Sequence, residues 1–154
     1  MTPPTRWFED IKEGETREFG DYLMTEAEIV EFATKYDPQS FHTDPAAAKS
    51  SFFGGLIASG WHTAAAMMRM TVDHAISAKA ALGSPGIDEL RWLKPVRPGD
   101  RLRLRSTVVK TVRSRSKPDR GTIHTFTEVL NQKNEVVMTL KGLGMFRCRP
   151  ADEK

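Results

Sequence analysis

An aspartate and a histidine, Asp37 and His42, stand five positions apart in the turn-rich stretch YDPQSFHTDPAAAKSSFFGGLIASGWHT, residues 36 to 63. A carboxylate and an imidazole held against one water polarise it for attack, while the imidazole moves a proton. Imidazole suits that work because its reference pKa of about 6.5 lies close to working pH. Either residue alone says little, since Asp-Pro is a routine turn dipeptide and most loop histidines are surface residues. The pair gains meaning from its place, between two helix signals and ahead of an Ala/Met-rich segment. At the start of that segment, Ser59 and Gly60 bring backbone N–H groups that lack intrahelical partners to the positive end of a helix dipole. Gly60 has no side chain to obstruct a ligand, so a carbonyl oxygen docked there would be polarised as in an oxyanion hole. Ordinary helix capping by Ser59 reads the same in sequence.

The elements that must position these groups follow from pattern. GETREFGDYLM reads as a short strand. Thr25 caps a helix in TEAEIVEFATKY, with Glu28 completing a capping box and Ile29, Phe32, Ala33 and Tyr36 as its buried stripe. Pro38 ends this helix and fixes Asp37 at its terminus. Asp44 and Pro45 begin a short helical turn, and FFGG is a loop. From Ser59 a long helix is expected to run to Gly83, buried all round. IDELRWLKPV, RLRLRSTVVKTV, GTIHTFTEVL and EVVMTLKGLGMF read as strands, with NQKN as a hairpin turn. The predicted fold is α+β: one domain over residues 1–154, with a curved antiparallel sheet wrapped around a long central helix and irregular tails at 1–7 and 149–154.

A chain of 154 residues suits one domain. With 39% apolar and 28% charged residues it has a soluble, globular composition, and no run approaches the length of a membrane span. MTPPTRWFEDIKEGE contains no apolar secretory core, and the single cysteine, Cys148, admits no internal disulfide. A cytoplasmic location is expected. The net charge of +3 includes a basic stripe over residues 101–120, where Asp119 is the lone acid. Such a stripe is either a solvated strand face or a footprint for phosphates. No nucleic-acid motif accompanies it, so a nucleic-acid partner is not expected, and no spacing argues for a metal.

Residues 32–63 resemble the hydratase signature of the MaoC-like dehydratases, relatives of the (R)-specific enoyl-CoA hydratases: Asp, any residue, Asn, Pro, aliphatic, His, then a glycine at the start of the central helix. Asp37, His42 and Gly60 match. Gln39 replaces the Asn and keeps an amide, Ser40 replaces the Pro, and Phe41 replaces the aliphatic residue. LRWLKPVRPGDRLRLR is similar to the family's strand after the central helix, with its Pro-Gly-Asp turn. The resemblance covers roughly residues 8–147 and implies a hot-dog fold, a homodimer or an assembly of dimers, and reversible hydration of a 2-enoyl thioester. Asp37 and His42 would be catalytic, with Gly60 N–H on the enolate oxygen and Ser59, Gln39, Trp61 and His62 lining the substrate. Coenzyme A would enter as part of the substrate, with no separate cofactor. The basic stripe would then meet its phosphates through Arg113, Arg115 and Arg120, whose planar guanidinium groups give bidentate contacts.

Two other functions compete. A hot-dog thioesterase attacks the carbonyl carbon and draws its carboxylate from the central helix, where Asp73 is the first acid after position 59. A non-catalytic acyl-CoA-binding or regulatory module would keep the fold and lose turnover. As a lone helical histidine His62 is more often a structural residue, and Trp61 is as readily an interface residue.

Overall fold

The computed structural model describes residues 2–154. Strand β1 (Thr16–Leu23) is followed by helix α1 (Glu26–Tyr36), the short helices α2 (Ser40–Thr43) and α3 (Pro45–Lys49), and helix α4 (Gly60–His74). Four strands follow: β2 (Ile87–Trp92), β3 (Arg101–Arg113), β4 (Arg120–Leu130) and β5 (Val136–Arg147). They form one antiparallel sheet in the order β1-β3-β4-β5-β2, which leaves β1 and β2 as its edges. Each strand pair shifts register once, between Phe19 and Tyr22, Asp88 and Arg91, Val108 and Lys110, and Val129 and Leu130, and such irregularities bend and twist a sheet.

Period-two alternation decides which face of the sheet meets α4. Leu102 and Leu104 on β3 are fully buried, while Arg101 and Arg105 point outward to Asp21 and Glu128. Burying each leucine stabilises the fold by about 1.5–3 kcal/mol. The strand half of the basic stripe is thus a solvated face carrying its own counter-charges. Ala66, Met67 and Met70 of α4 pack with Met24, Ile29, Leu56, Val96, Val129, Met138 and Leu140 in the main core. Where Met70 crosses β1, Gly20 adopts φ +93°, and a Cβ there would stand 2.4 Å from Met70 Sδ. Only glycine meets both demands.

Several expectations need correction. Helix α4 stops at His74 rather than Gly83. Ile76 N–H turns back to Thr71 O, and Ala80, Leu82 and Gly83 then exchange backbone hydrogen bonds with Met145 and Arg147 beside β5. Pairing with the sheet overrides the helix propensity of SAKAALG. Nor is α4 buried all round, since Trp61, Met68 and Val72 are exposed. Tyr36 is exposed too, leaving Ile29 and Ala33 as the buried residues of α1. The expected irregular tail at 149–154 instead carries a short 3₁₀-helix, Ala151–Glu153, and the described ends are anchored. Trp7 is buried, Arg6 binds Glu15, and Arg149 binds Glu9 and Asp10.

Candidate active site

Helix α1 delivers the carboxylate. Thr25 Oγ1 accepts from Glu28 N–H at its start, and Asp37 caps its end, donating its N–H to Ala33 O at 2.8 Å. The backbone of Asp37 leaves the helical region (φ −154°, ψ 68°), as Pro38 requires. Helix α2 then turns His42 inward until it is 5% exposed. His42 Nε2 comes within 3.3 Å of Asp37 Oδ2.

Each member of the pair is held from a second side. His42 Nδ1 donates to Ile57 O at 2.8 Å. A carbonyl only accepts, so in the neutral ring the proton sits on Nδ1 and Nε2 faces Asp37 with its lone pair. Gln39 Nε2 donates to Asp37 Oδ1 at 2.7 Å, and Ser59 Oγ donates to Asp37 Oδ2 at 2.7 Å. Burial by itself raises the Asp37 pKa. The hydrogen bonds from Gln39 and Ser59 and the nearby His42 outweigh it and hold the carboxyl below its usual range.

Ser59 therefore works twice. Its Oγ accepts from Trp61 N–H at 3.2 Å, which makes it the N-cap of α4, and donates to the carboxylate. Ser59 O accepts from the N–H groups of His62 and Thr63. Among the described residues, Gly60 N–H finds no acceptor, so it remains a free donor at the helix start. The α-carbon of Gly60 is covered by Trp92. A Cβ there would lie 2.3 Å from Trp92 Cε2, and Trp92 Nε1 donates to Gly60 O at 3.0 Å. The absence of a side chain at Gly60 thus makes room for Trp92 rather than for a ligand.

Asp37, His42, Gln39, Ser59 and Gly60 come together, and the remaining candidates do not join them. Trp61 points outward, 59% exposed, with its ring edge-on to Trp92. His62 is 2% exposed and turns to α1, with Nε2 at 3.0 Å from Glu28 Oε1 and its ring stacked on Phe32 at 4.7 Å. Sequence reasoning assigned Glu28 to a capping box. Its side chain instead accepts from His62 and from the Tyr22 hydroxyl. Burial and the Glu28 carboxylate push the Tyr22 pKa up to about 12. Burial raises the Glu28 pKa, but hydrogen bonds from Tyr22 and His62 bring it below its usual range. No local pattern announces this network, because its members lie on three different elements.

Arg113, Arg115 and Arg120 flank the β3–β4 turn, at the opposite end of β3 from the site. The site end is marked by Ala58 N–H on Val96 O and Met24 N–H on Asp100 O. Thirteen residues of strand, about 40 Å at strand rise, lie between. Arg113 is bound to Pro118 O and Arg120 to Asp119. Arg97 instead lies beside the 36–63 segment, where its guanidinium donates to Phe53 O at 2.7 Å. Asp73 is paired with Arg69 at 2.9 Å.

An apolar cavity of about 390 Å³ lies between the far half of α4 and the sheet, lined among others by Phe19, Met67, Thr71, Leu104, Ile123 and Leu140. No residue between 36 and 63 contributes to its walls.

The profile of the family described as MaoC like domain matches residues 10–130. Protein MaoC of Klebsiella aerogenes is 31% identical over 119 residues, which cover 76% of this chain and 35% of that protein. Mesaconyl-CoA hydratase of Cereibacter sphaeroides is 41% identical over 69 residues, 45% of this chain and 20% of that protein. The chain thus spans about a third of the first relative's length and a fifth of the second's. A MaoC-like dehydratase from Rhodospirillum rubrum has a similar structure, with a TM-score of 0.88 and 39% identity, covering 95% of this chain and 99% of that one. A Mycobacterium tuberculosis protein with a double hot-dog fold matches at a TM-score of 0.71 and 17% identity, over 95% of this chain and 45% of that one. The α+β arrangement described above is a hot-dog fold.

Proposed function

Because the chain belongs to the MaoC-like dehydratase family, we propose that it reversibly adds water across the double bond of a 2-enoyl thioester, with Asp37 and His42 as the acid–base pair. The observation that carries this reading is the 3.3 Å approach of His42 Nε2 to Asp37 Oδ2. With His42 neutral, both atoms are acceptors, and a water lodged beside the pair bridges them, donating one O–H to each. As the water oxygen bonds to C3 of the substrate, His42 Nε2 takes its proton. The electron pair of the double bond moves onto the thioester oxygen, where Gly60 N–H receives the enolate charge. The pair then returns the proton to C2, and the sum is the addition of one water. Dehydration is the same path reversed.

Ser59 and Gln39 keep Asp37 ionised and oriented. The apolar cavity offers room for an acyl tail running down α4, since Met67 is seven residues, or about 10 Å, beyond Gly60. A coenzyme A carrier matches the similarity to Mesaconyl-CoA hydratase, and Arg97, bound to Phe53 O, brings a guanidinium beside the loop that follows α3. The thioesterase reading is disfavoured by Asp73, which lies at the far end of α4 in a salt bridge with Arg69.

The test is turnover on a panel of 2-enoyl- and 3-hydroxyacyl-CoA thioesters, with Asp37→Asn as control. Hydration that the variant loses supports the reading. Release of free thiol without hydration would select the thioesterase, and binding without any product would select the non-catalytic module.

A further inference from the structure

His62 has no part in the chemistry proposed above, yet it is 2% exposed and its Nδ1 has no hydrogen-bond partner among the described residues. Glu28 accepts at Nε2, so the ring proton sits there and the Nδ1 lone pair faces no donor. A leucine or phenylalanine could fill such a place without leaving a buried nitrogen unpaired. What a histidine adds is a directed bond combined with a flat ring. Nε2 donates to Glu28 at 3.0 Å, and the ring lies within 10° of parallel on Phe32. Both partners are on α1, while His62 is in the first turn of α4. Tyr22 of β1 donates to the same Glu28 oxygen and anchors it to the sheet.

The consequence is geometric. Asp37 is the C-cap of α1, and Ser59 and Gly60 open α4. The distance between carboxylate and helix start depends on how α1 sits on the first turn of α4, and His62 sets that seating. We propose that His62 is a positioning residue: bound to Glu28 and stacked on Phe32, it fixes α1 against α4 and so holds Asp37 at Ser59 and His42. This rests on the Asp37–His42 reading, because a displaced carboxylate matters to rate only if it does chemistry.

Three variants separate positioning from mere packing. His62→Phe keeps the stack and loses the bond to Glu28. His62→Gln keeps an N–H donor at the same reach. Glu28→Leu removes the acceptor. For His62→Phe, kcat should fall by about 10- to 100-fold with KM little changed, the scale expected when a reacting group moves by about an ångström. Glu28→Leu should match it, and His62→Gln should recover most of the loss.

The second readout needs no turnover. The Asp37 carboxyl, followed by NMR through a pH titration, should lose its proton at higher pH in His62→Phe, because Ser59 Oγ and His42, which favour the ionised form, no longer meet it squarely. His62→Gln should titrate like the parent. The proposal is overturned if His62→Phe titrates at Asp37 as the parent does, or if its folded fraction keeps full kcat. It is also overturned if His62→Gln is as slow as His62→Phe. An Asp37 titration that moves as expected in a protein whose Asp37→Asn variant keeps its activity would uphold the positioning and sink the catalytic reading. The two failures are therefore distinguishable.

Discussion

Trp92 lies flat against the α-carbon of Gly60 and donates its indole N–H to the Gly60 carbonyl at 3.0 Å. A strand residue thereby packs on the first turn of the central helix, against the α-carbon and carbonyl of the residue whose N–H is left free. Gly60→Ala should therefore disturb more than the ligand. Forcing a methyl group into the ring is an overpacking change of about 1–3 kcal/mol. Trp92→Ala in the same chain should relieve much of that loss, giving a coupling energy of about 1 kcal/mol or more in a double-mutant cycle. Thermal or denaturant unfolding of the four proteins measures it. Additive losses would show that the indole swings aside without resistance.

Asp37→Asn and His42→Ala are each expected to lower turnover by about 10²-fold or more with the fold retained. The double variant should be little worse than either single one, because the pair acts on one water. Steady-state rates with circular dichroism on the same preparations check this. A variant that stays near the parental rate removes that residue from the chemistry.

Ser59→Ala loses a helix cap and a hydrogen bond to the Asp37 carboxylate at once. The cap alone contributes about 1 kcal/mol. The carboxylate bond adds a pH signature. Asp37 ionises more readily folded than unfolded, so its contribution to stability is present above the ordinary carboxylate range and fades as pH falls through the lowered value. Without Ser59 Oγ, the Asp37 pKa should move upward, and the acid-side losses of stability and rate should begin at higher pH. Tm and rate measured from neutral pH downward test the sign. An acid limb that stays in place would mean that Ser59 does not stabilise the ionised carboxylate.

Exposed apolar residues imply self-association. Trp61, Met68 and Val72 form one outward stripe on α4, and Ile87 and Trp92 lie exposed on the edge strand β2. An unpaired edge beside an apolar face is the kind of surface that a two-fold symmetric partner covers. A homodimer is expected in sedimentation, and Met68→Glu should shift it toward monomer without unfolding it. A parent chain that sediments as a monomer at micromolar concentration would remove this expectation.

Local signals made α1, the Asp37 terminus and the strand alternation legible in the sequence, because caps, a proline and period-two patterning act over a few residues. What escaped was set by partners far along the chain. Helix α4 ends at His74 because the segment after it pairs beside β5, and nothing in SAKAALG itself says so. Glu28 matched a capping box, yet Tyr22 and His62 claim its side chain. Ser59 was readable as a cap, but its bond to Asp37 spans 22 positions. Gly60 was read as space for a ligand because Trp92, which fills that space, lies 32 positions away. The arginines of the β3–β4 turn drew attention as a charge run, which carries no information about its distance from the site.

The proposed acid–base groups and the free helix-start donor all come from one unbroken stretch, residues 37 to 60, whereas the apolar cavity is walled entirely by residues outside it. On the proposed function, reactivity and fit are therefore written in separate parts of the chain. Drift in the walls, at positions such as Phe19, Ile123 or Leu140, can retailor what is accepted while the reacting groups are inherited intact. A lineage built this way diversifies by refitting its interior, one wall residue at a time, and seldom has to reinvent its chemistry to do so.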